Sequence, residues 1–155
     1  MAPRKSCILL VEDEPNDIVL LQLAFERAGI ETTLQIVSNG RQAVDYLAGE
    51  GDFSNRQRFP VPRLVLLDLN LPVMSGLDVL KWIQNQPALA LLLVVVLTSS
   101  SEDRDVDQSY RLGARSFLVK PLSLHTRLDL AKAIKHYWLE LNQDSVSRRG
   151  LADRK

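Results

Sequence analysis

Three observations predict an α/β fold built on a mostly parallel sheet. Five short apolar runs are bounded by charged or turn-forming residues, the pattern of strands buried on both faces. Five stretches with apolar residues at helical spacing alternate with those runs. A chain of 155 residues, 46% hydrophobic and 25% charged, suits one ordinary domain and excludes global disorder.

The first run, Cys7 to Val11, is a strand that stops at Glu12. Pro15 follows where a helix can begin, because a first-turn residue needs no backbone donor. Ile18, Leu21, Ala24, Phe25 and Ala28 then recur at helical spacing until Gly29 ends the helix. Leu34 to Val37 is a weaker second strand, and Arg41 to Ala48 a short helix carrying Ala43, Val44 and Leu47. The segment Gly49 to Pro62 is long for a connection; it is polar and punctuated by Pro and Gly, an excursion on the surface. Leu64 to Leu67 is the third strand and ends at Asp68. Leu77 to Gln84 forms a helix stopped before Pro87. Leu91 to Leu97 is the fourth strand, and Glu102 to Leu112 is a polar helix ended by Gly113, with Ser99-x-x-Glu102 fitting a capping box. Ser116 to Val119 is the fifth strand. Leu124 to Leu141 is the last helix, with Leu124, Leu128, Ala131, Ile134, Trp138 and Leu141 along one face.

Composition narrows the function. Nineteen basic residues balance nineteen acidic ones, which argues against nucleic acid bound through a basic surface. The single Cys7 forms neither an intramolecular disulfide nor a multi-cysteine metal site, which suits a reducing cytoplasm. The apolar run Cys7 to Val11 is too short for a signal peptide, and Ala88 to Leu97 too short to span a membrane. The predicted domain runs over 1–142, followed by a polar tail, 143–155, too short to fold into a DNA-binding module and basic from Arg148 onward.

The chemistry lies where the strands end. The first ends in Glu12-Asp13-Glu14, the third in Asp68, the fourth in Thr98-Ser99, and the fifth in Lys120-Pro121. In an open parallel sheet all carboxyl ends share one edge, where ligands bind at the topological switch point. Glu12, Asp13 and Asp68 against Lys120 leave excess negative charge. Such a crowd either protonates, with raised pKa values, or holds a cation. A divalent ion with oxygen ligands fits, and Mg²⁺ suits a site of few carboxylates and several waters. A carboxylate beside such an ion and a lysine can attack phosphorus, with a hydroxyl to bond a phosphoryl oxygen.

Four motifs now stand in order: VEDE (Val11 to Glu14), LLDLNLPVMSG (Leu66 to Gly76), LTSS (Leu97 to Ser100) and FLVKP (Phe117 to Pro121). Together they resemble the receiver domain of two-component response regulators, over roughly Ser6 to Leu141. The resemblance implies a flavodoxin-like, doubly wound, five-stranded parallel sheet in the order 2-1-3-4-5 with five helices. It implies that Asp68 accepts a phosphoryl group from a histidine kinase. Glu12, Asp13, Asp68 and the Asn70 backbone carbonyl would hold Mg²⁺. Thr98 and Lys120 would bind the phosphoryl oxygens, the Lys120–Pro121 bond would be cis, and Phe117 would stand at the aromatic switch position. Phe in place of Tyr there leaves a switch that rests on packing alone. The Pro60-Val61-Pro62 insertion, the LDLNLP motif and the Tyr137 to Gln143 segment look like the response regulators that partner bacterial phytochromes, which lack an output domain. That narrower likeness implies a phytochrome-type kinase partner. It also suggests a homodimer through the fourth helix, fifth strand and fifth helix, with Leu130, Ala133, Tyr137 and Trp138 supplying apolar surface.

Simpler roles compete at single positions. The acidic triplet could favour the first helix dipole, Asn70 could be an ordinary turn residue, and Phe117 could be plain core. His125 and His136 have no spaced partner for a metal. Other function classes also share the architecture. They are a phosphate sink or constitutive scaffold, a Mg²⁺-dependent phosphatase with an aspartyl nucleophile, and a flavodoxin-like carrier. The receiver reading makes the chain no enzyme beyond promoting its own phosphorylation and dephosphorylation.

Overall fold

The computed structural model describes residues 7–141. The expected tail, 143–155, lies outside the described residues. Five parallel strands form one sheet in the order β2-β1-β3-β4-β5: β1 (Cys7–Val11), β2 (Thr33–Val37), β3 (Leu64–Leu67), β4 (Leu93–Thr98) and β5 (Ser116–Val119). Helices α1 (Pro15–Arg27), α2 (Gly40–Ala48), α3 (Gly76–Gln84), α4 (Asp103–Arg111) and α5 (Leu124–Ile134) connect and follow them. This is the expected flavodoxin-like topology.

Side chains alternate along the strands, so each central strand feeds two cores. Leu9, Val11, Val65, Leu67, Val94 and Val96 pack with α2 and α3 on one face. Ile8, Leu10, Leu64, Leu66, Val95 and Leu97 pack with α1 and α5 on the other. Every residue of β1 and β3 is buried, whereas β5, at the sheet edge, is only half-buried at best. That gradient explains why the central runs are continuous in sequence and the edge runs are not.

Helix ends follow local chemistry. Pro15 opens α1, and the Glu14 side chain accepts the Asn16 N–H. Asn39 caps α2 through the Gln42 N–H at 2.8 Å, and Ser75 and Ser123 cap α3 and α5. Two glycines permit close approach near the end of β3. A Cβ on Gly76 would sit 2.2 Å from the Asp68 carbonyl oxygen, and one on Gly40 would sit 2.0 Å from that of Met74.

Several expectations are corrected. β4 starts at Leu93 rather than Leu91, because Pro87–Leu89 forms a 3₁₀ turn first. Ser99 does not cap α4, whose N-cap is Glu102; the neighbouring Ser100 hydroxyl instead donates to Asp105 at 2.6 Å. The last helix is α-helical only to Ile134 and continues as a π-helix, Lys135–Leu141. The wider turn lays both Trp138 and Leu139 on the second core. No peptide bond among the described residues is cis, so Lys120–Pro121 is trans. Trans is the lower-energy form of an X–Pro bond by about 0.5–1 kcal/mol, and Lys120 reaches its partners from it.

The expected dimer residues also divide. Leu130 and Trp138 pack against the second core, while Ala133 and Tyr137 are exposed. The 49–62 excursion is more built than its composition suggests. Arg56 donates to the carbonyls of Tyr46 and Leu47, each at 2.7 Å, and of Phe59 at 3.1 Å. Tyr46, Phe53 and Phe59 form a ring cluster with centroids 5.2–6.0 Å apart. The buried Tyr46 hydroxyl donates to the Pro60 carbonyl at 2.9 Å.

Candidate functional site

Register places the site. Val11 pairs with Leu67 across the β1–β3 junction, so Glu12 and Asp68, the next residues, emerge side by side. β1 lies between β2 and β3, so the chain reverses direction of winding at this edge, the switch point of an open α/β sheet. Thr98 and Val119 pair at the end of β4–β5, and the Lys120 N–H donates to the Thr98 carbonyl at 2.8 Å. Four strand ends therefore converge, as the sequence predicts.

The side chains meet around Asp68, which is buried. Its Oδ1 accepts the Thr98 hydroxyl at 2.8 Å and the Asn70 backbone N–H at 3.2 Å. Its Oδ2 accepts the Lys120 ammonium at 2.9 Å. Lys120 also donates to Glu12 and, at 3.0 Å, to Asp17. Asp17 in turn accepts Arg127 Nη2 at 2.8 Å on its other oxygen. Asp13 and Asn70 are exposed at the rim. Phe117 is half-buried against the first core, its backbone N–H donating to the Tyr110 hydroxyl at 3.1 Å.

The charges are strongly redistributed. Burial, and then the Asp68 carboxylate, push Glu12 up to about 9, with Lys120 pulling the other way. Burial opposes the Asp68 charge too, but Glu12, the Lys120 ammonium and the Thr98 hydroxyl outweigh it and hold Asp68 below its usual range. Burial would lower Lys120, but the surrounding carboxylates win and raise it. Asp17 is held low against burial, chiefly by Lys120 and then Glu12 and Arg127. The crevice thus disfavours the charged form of Glu12 and favours that of Asp68.

The donor set fits a divalent cation. Glu12, Asp13 and Asp68 each offer a carboxylate oxygen, all within 4.8 Å of one another. Glu12 Oε2 is buried without a hydrogen-bond partner among the described residues. An oxygen in that position is satisfied by a cation or a proton, and hard oxygen ligands of this kind suit Mg²⁺ or Mn²⁺.

Asp17 and Arg127 are the site residues that the sequence reading passes over. The signals were weak ones. Asp17 is the acidic residue of the first turn of α1, four residues after Asp13. Arg127 interrupts the apolar stripe of α5, where its burial needs an acidic partner. No helix among the described residues is long and apolar enough to cross a membrane.

Residues 8–134 match the family described as the response regulator receiver domain. Probable methanogenesis regulatory protein FilR2 of Methanothrix harundinacea is 39% identical over 137 residues, covering 88% of this chain and 85% of FilR2. Response regulator Rcp1 of Synechocystis sp. is 38% identical over 133 residues, covering 86% of this chain and 88% of Rcp1. The crystal structure of the phosphorylated cyanobacterial phytochrome response regulator RcpA superposes with a TM-score of 0.83 at 34% identity, covering 90% of this chain and 98% of RcpA. The Mn²⁺-bound form of Rcp1 superposes with a TM-score of 0.81 at 37% identity, with the same coverage.

Proposed function

This chain belongs to the response regulator receiver family, and we propose that within it Asp68 accepts a phosphoryl group from a phytochrome-type histidine kinase. The observation that carries this reading is the state of Asp68: a buried carboxylate kept ionised between the Lys120 ammonium and the Thr98 hydroxyl. An ionised oxygen is the nucleophile that attack on phosphorus requires. In the transfer, an Asp68 oxygen bonds to phosphorus as the donor's N–P bond breaks, and the departing imidazole takes up a proton. Lys120 is placed to neutralise the phosphoryl oxygens, and Thr98 can turn its hydroxyl from Asp68 to one of them.

Glu12, Asp13 and Asp68, with the Asn70 carbonyl, would hold Mg²⁺, as the Mn²⁺-bound form of the relative Rcp1 suggests. When bound, the cation supplies further neutralisation of phosphoryl charge. Glu12 would surrender its proton to become a ligand, while Lys120 keeps the opposite side of the crevice cationic.

Signalling would leave through the surface of α4, β5 and α5. Exposed Tyr110 on α4, Val119 at the end of β5 and Leu122 just beyond it supply apolar area there, with Tyr137 beyond α5. A second copy of the chain is the proposed occupant of this surface, and light scattering at high micromolar concentration should show a dimer. The phosphoacceptor reading is tested with acetyl phosphate. One phosphoryl group per chain is expected with Mg²⁺, and none in Asp68→Asn; incorporation that is independent of Mg²⁺ or of Asp68 would overturn it. Transfer from an autophosphorylated phytochrome-type kinase, faster than from an unrelated histidine kinase, would support the partner.

A further inference from the structure

The receiver motifs account for Glu12, Asp13, Asp68, Thr98 and Lys120, but not for the pair of half-buried Asp17 and buried Arg127. Arg127 lies on α5 with only 7% of its surface exposed. A buried guanidinium is costly unless paired and hydrogen-bonded, yet this one makes a single ion pair, Nη2 to Asp17 Oδ1 at 2.8 Å. Its Nε has no partner among the described residues. Apolar packing alone would place a leucine here. The pair does, however, sit one contact away from the reacting carboxylate. Asp17 is bidentate between two cations: Oδ1 on Arg127 and Oδ2 on Lys120 at 3.0 Å. Beside them lies a small, partly open cavity of ≈ 10 Å³, at the lower limit for one water. It is bounded by Glu12, Asp17, Lys120, Arg127 and Pro121 among others. The orphaned atoms Glu12 Oε2 and Arg127 Nε belong to residues that line it.

We propose that Arg127 and Asp17 are positioning residues for the phosphoryl-transfer reaction: Arg127 fixes the Asp17 carboxylate, and Asp17 fixes the Lys120 ammonium against Asp68. This rests on the reading of Asp68 as phosphoacceptor. Lys120 has four rotatable side-chain bonds and a charge that three carboxylates can claim. Without Asp17 oriented from behind, its ammonium loses one of its three fixed partners and can leave the place where phosphoryl oxygens arrive. Because Arg127 belongs to α5, the same pair links the position of Lys120 to the helix of the proposed signalling surface. When Lys120 shifts toward a phosphoryl group, Asp17 loses one of its two cations, and the Arg127–Asp17 ion pair between α1 and α5 is left to balance its charge.

The test compares Arg127→Met, Arg127→Lys and Asp17→Asn with the wild-type chain, at a temperature where circular dichroism shows all four folded. The first readout is phosphorylation by acetyl phosphate in saturating Mg²⁺. Arg127→Met and Asp17→Asn should slow the maximal rate by about tenfold, the scale of a small misplacement of a catalytic group. The concentration of acetyl phosphate giving half that rate should stay the same, and Arg127→Lys should recover most of the loss because it keeps the cation. The second readout needs no phosphate: the Lys120 ammonium resonance in ¹⁵N-labelled protein. It should be sharp in wild type and Arg127→Lys and broadened by exchange in Arg127→Met and Asp17→Asn. Unchanged rates and an unchanged ammonium signal, with only a lowered melting temperature, would make the pair purely structural and overturn the proposal. A wild-type chain that takes no phosphoryl group would remove the phosphoacceptor reading. The ammonium signal would then still decide whether the pair positions Lys120.

Discussion

Two regions of the molecule hold a half-buried cation, and they satisfy it in opposite ways. Lys120 is surrounded by carboxylates, from Glu12, Asp17 and Asp68. Arg56 is surrounded by backbone carbonyls, from Tyr46, Leu47 and Phe59. Carbonyl dipoles at the end of α2 are fixed, so Arg56 is a staple: it bonds carbonyls of the helix C-terminus and of Phe59 and ties the 49–62 segment to α2. Carboxylates can gain a proton, a metal or a phosphoryl group, so the partners of Lys120 can change their claim on it. The difference teaches that a charge held by charges responds, while a charge held by backbone serves the fold.

The sharpest test of that contrast removes each cation in turn. Lys120→Met should slow phosphorylation of Asp68 by about 10²-fold, the usual effect of deleting one donor to developing charge. Arg56→Met should leave that rate within about twofold, since distant sites act independently, and should instead cost about 2–4 kcal/mol of unfolding free energy through its lost charged hydrogen bonds. Acetyl phosphate kinetics and urea titrations of both variants check the pair together. If Arg56→Met slows the chemistry as much as Lys120→Met, the division is broken.

Gly76→Ala should couple the two kinds of effect. Its methyl would collide with the Asp68 carbonyl oxygen and the Leu69 Cα, both backbone atoms that cannot step aside cheaply. A loss of about 1–3 kcal/mol or more in urea unfolding follows from such overpacking, with a slower acceptor because the Asp68 backbone must shift.

A smaller effect comes from the proton on Glu12. Burial and Asp68 push Glu12 up to about 9, so in the cation-free protein it holds a proton more tightly than an ordinary carboxyl and must give it up to serve as a ligand. Mg²⁺ affinity should therefore rise with pH, by at most about tenfold per unit below about 9. Calorimetry in buffers of different ionisation enthalpy should show the released proton. Glu12→Gln should flatten the dependence. The sign for folding is the reverse: a carboxyl raised above its unfolded value favours the native state most at low pH, and that advantage fades as pH rises through the folded value.

The smallest effect lies on the structural side. Cys7 is buried against Tyr46, and burial pushes its thiol up. It should resist iodoacetamide in native protein and react at once in guanidinium. Rapid native alkylation would show that the Arg56 staple opens readily.

The same contrast explains what the sequence made legible. Glu12, Asp68, Thr98 and Lys120 were visible because each stands at the carboxyl end of an apolar run, and one topology brings all four together. The strands of the interior were visible for the same reason, since Leu64–Leu67 and Cys7–Val11 are buried on both faces. Asp17 was hidden because an acid in the first turn of a helix already has a sufficient role toward the dipole. Arg127 was hidden because an arginine on a helix is ordinarily exposed, and only the packing of α5 on α1 shows otherwise. The Arg56 staple depends on a side chain folding back about ten residues to carbonyls, for which composition carries no signal. The trans Lys120–Pro121 bond and the π-helical end of the last helix are set by tertiary context rather than by local residue pattern.

The central claim is that Asp68 is the reacting carboxylate of this crevice. The most direct measurement is borohydride reduction of protein treated with acetyl phosphate and Mg²⁺, followed by peptide mass spectrometry across residues 6–27 and 64–81. The account predicts conversion of position 68 to homoserine, abolished by omitting Mg²⁺ and strongly reduced in Lys120→Met. Reduction at Glu12 or Asp13 instead, or at no position in a chain that has gained phosphoryl mass, would contradict it.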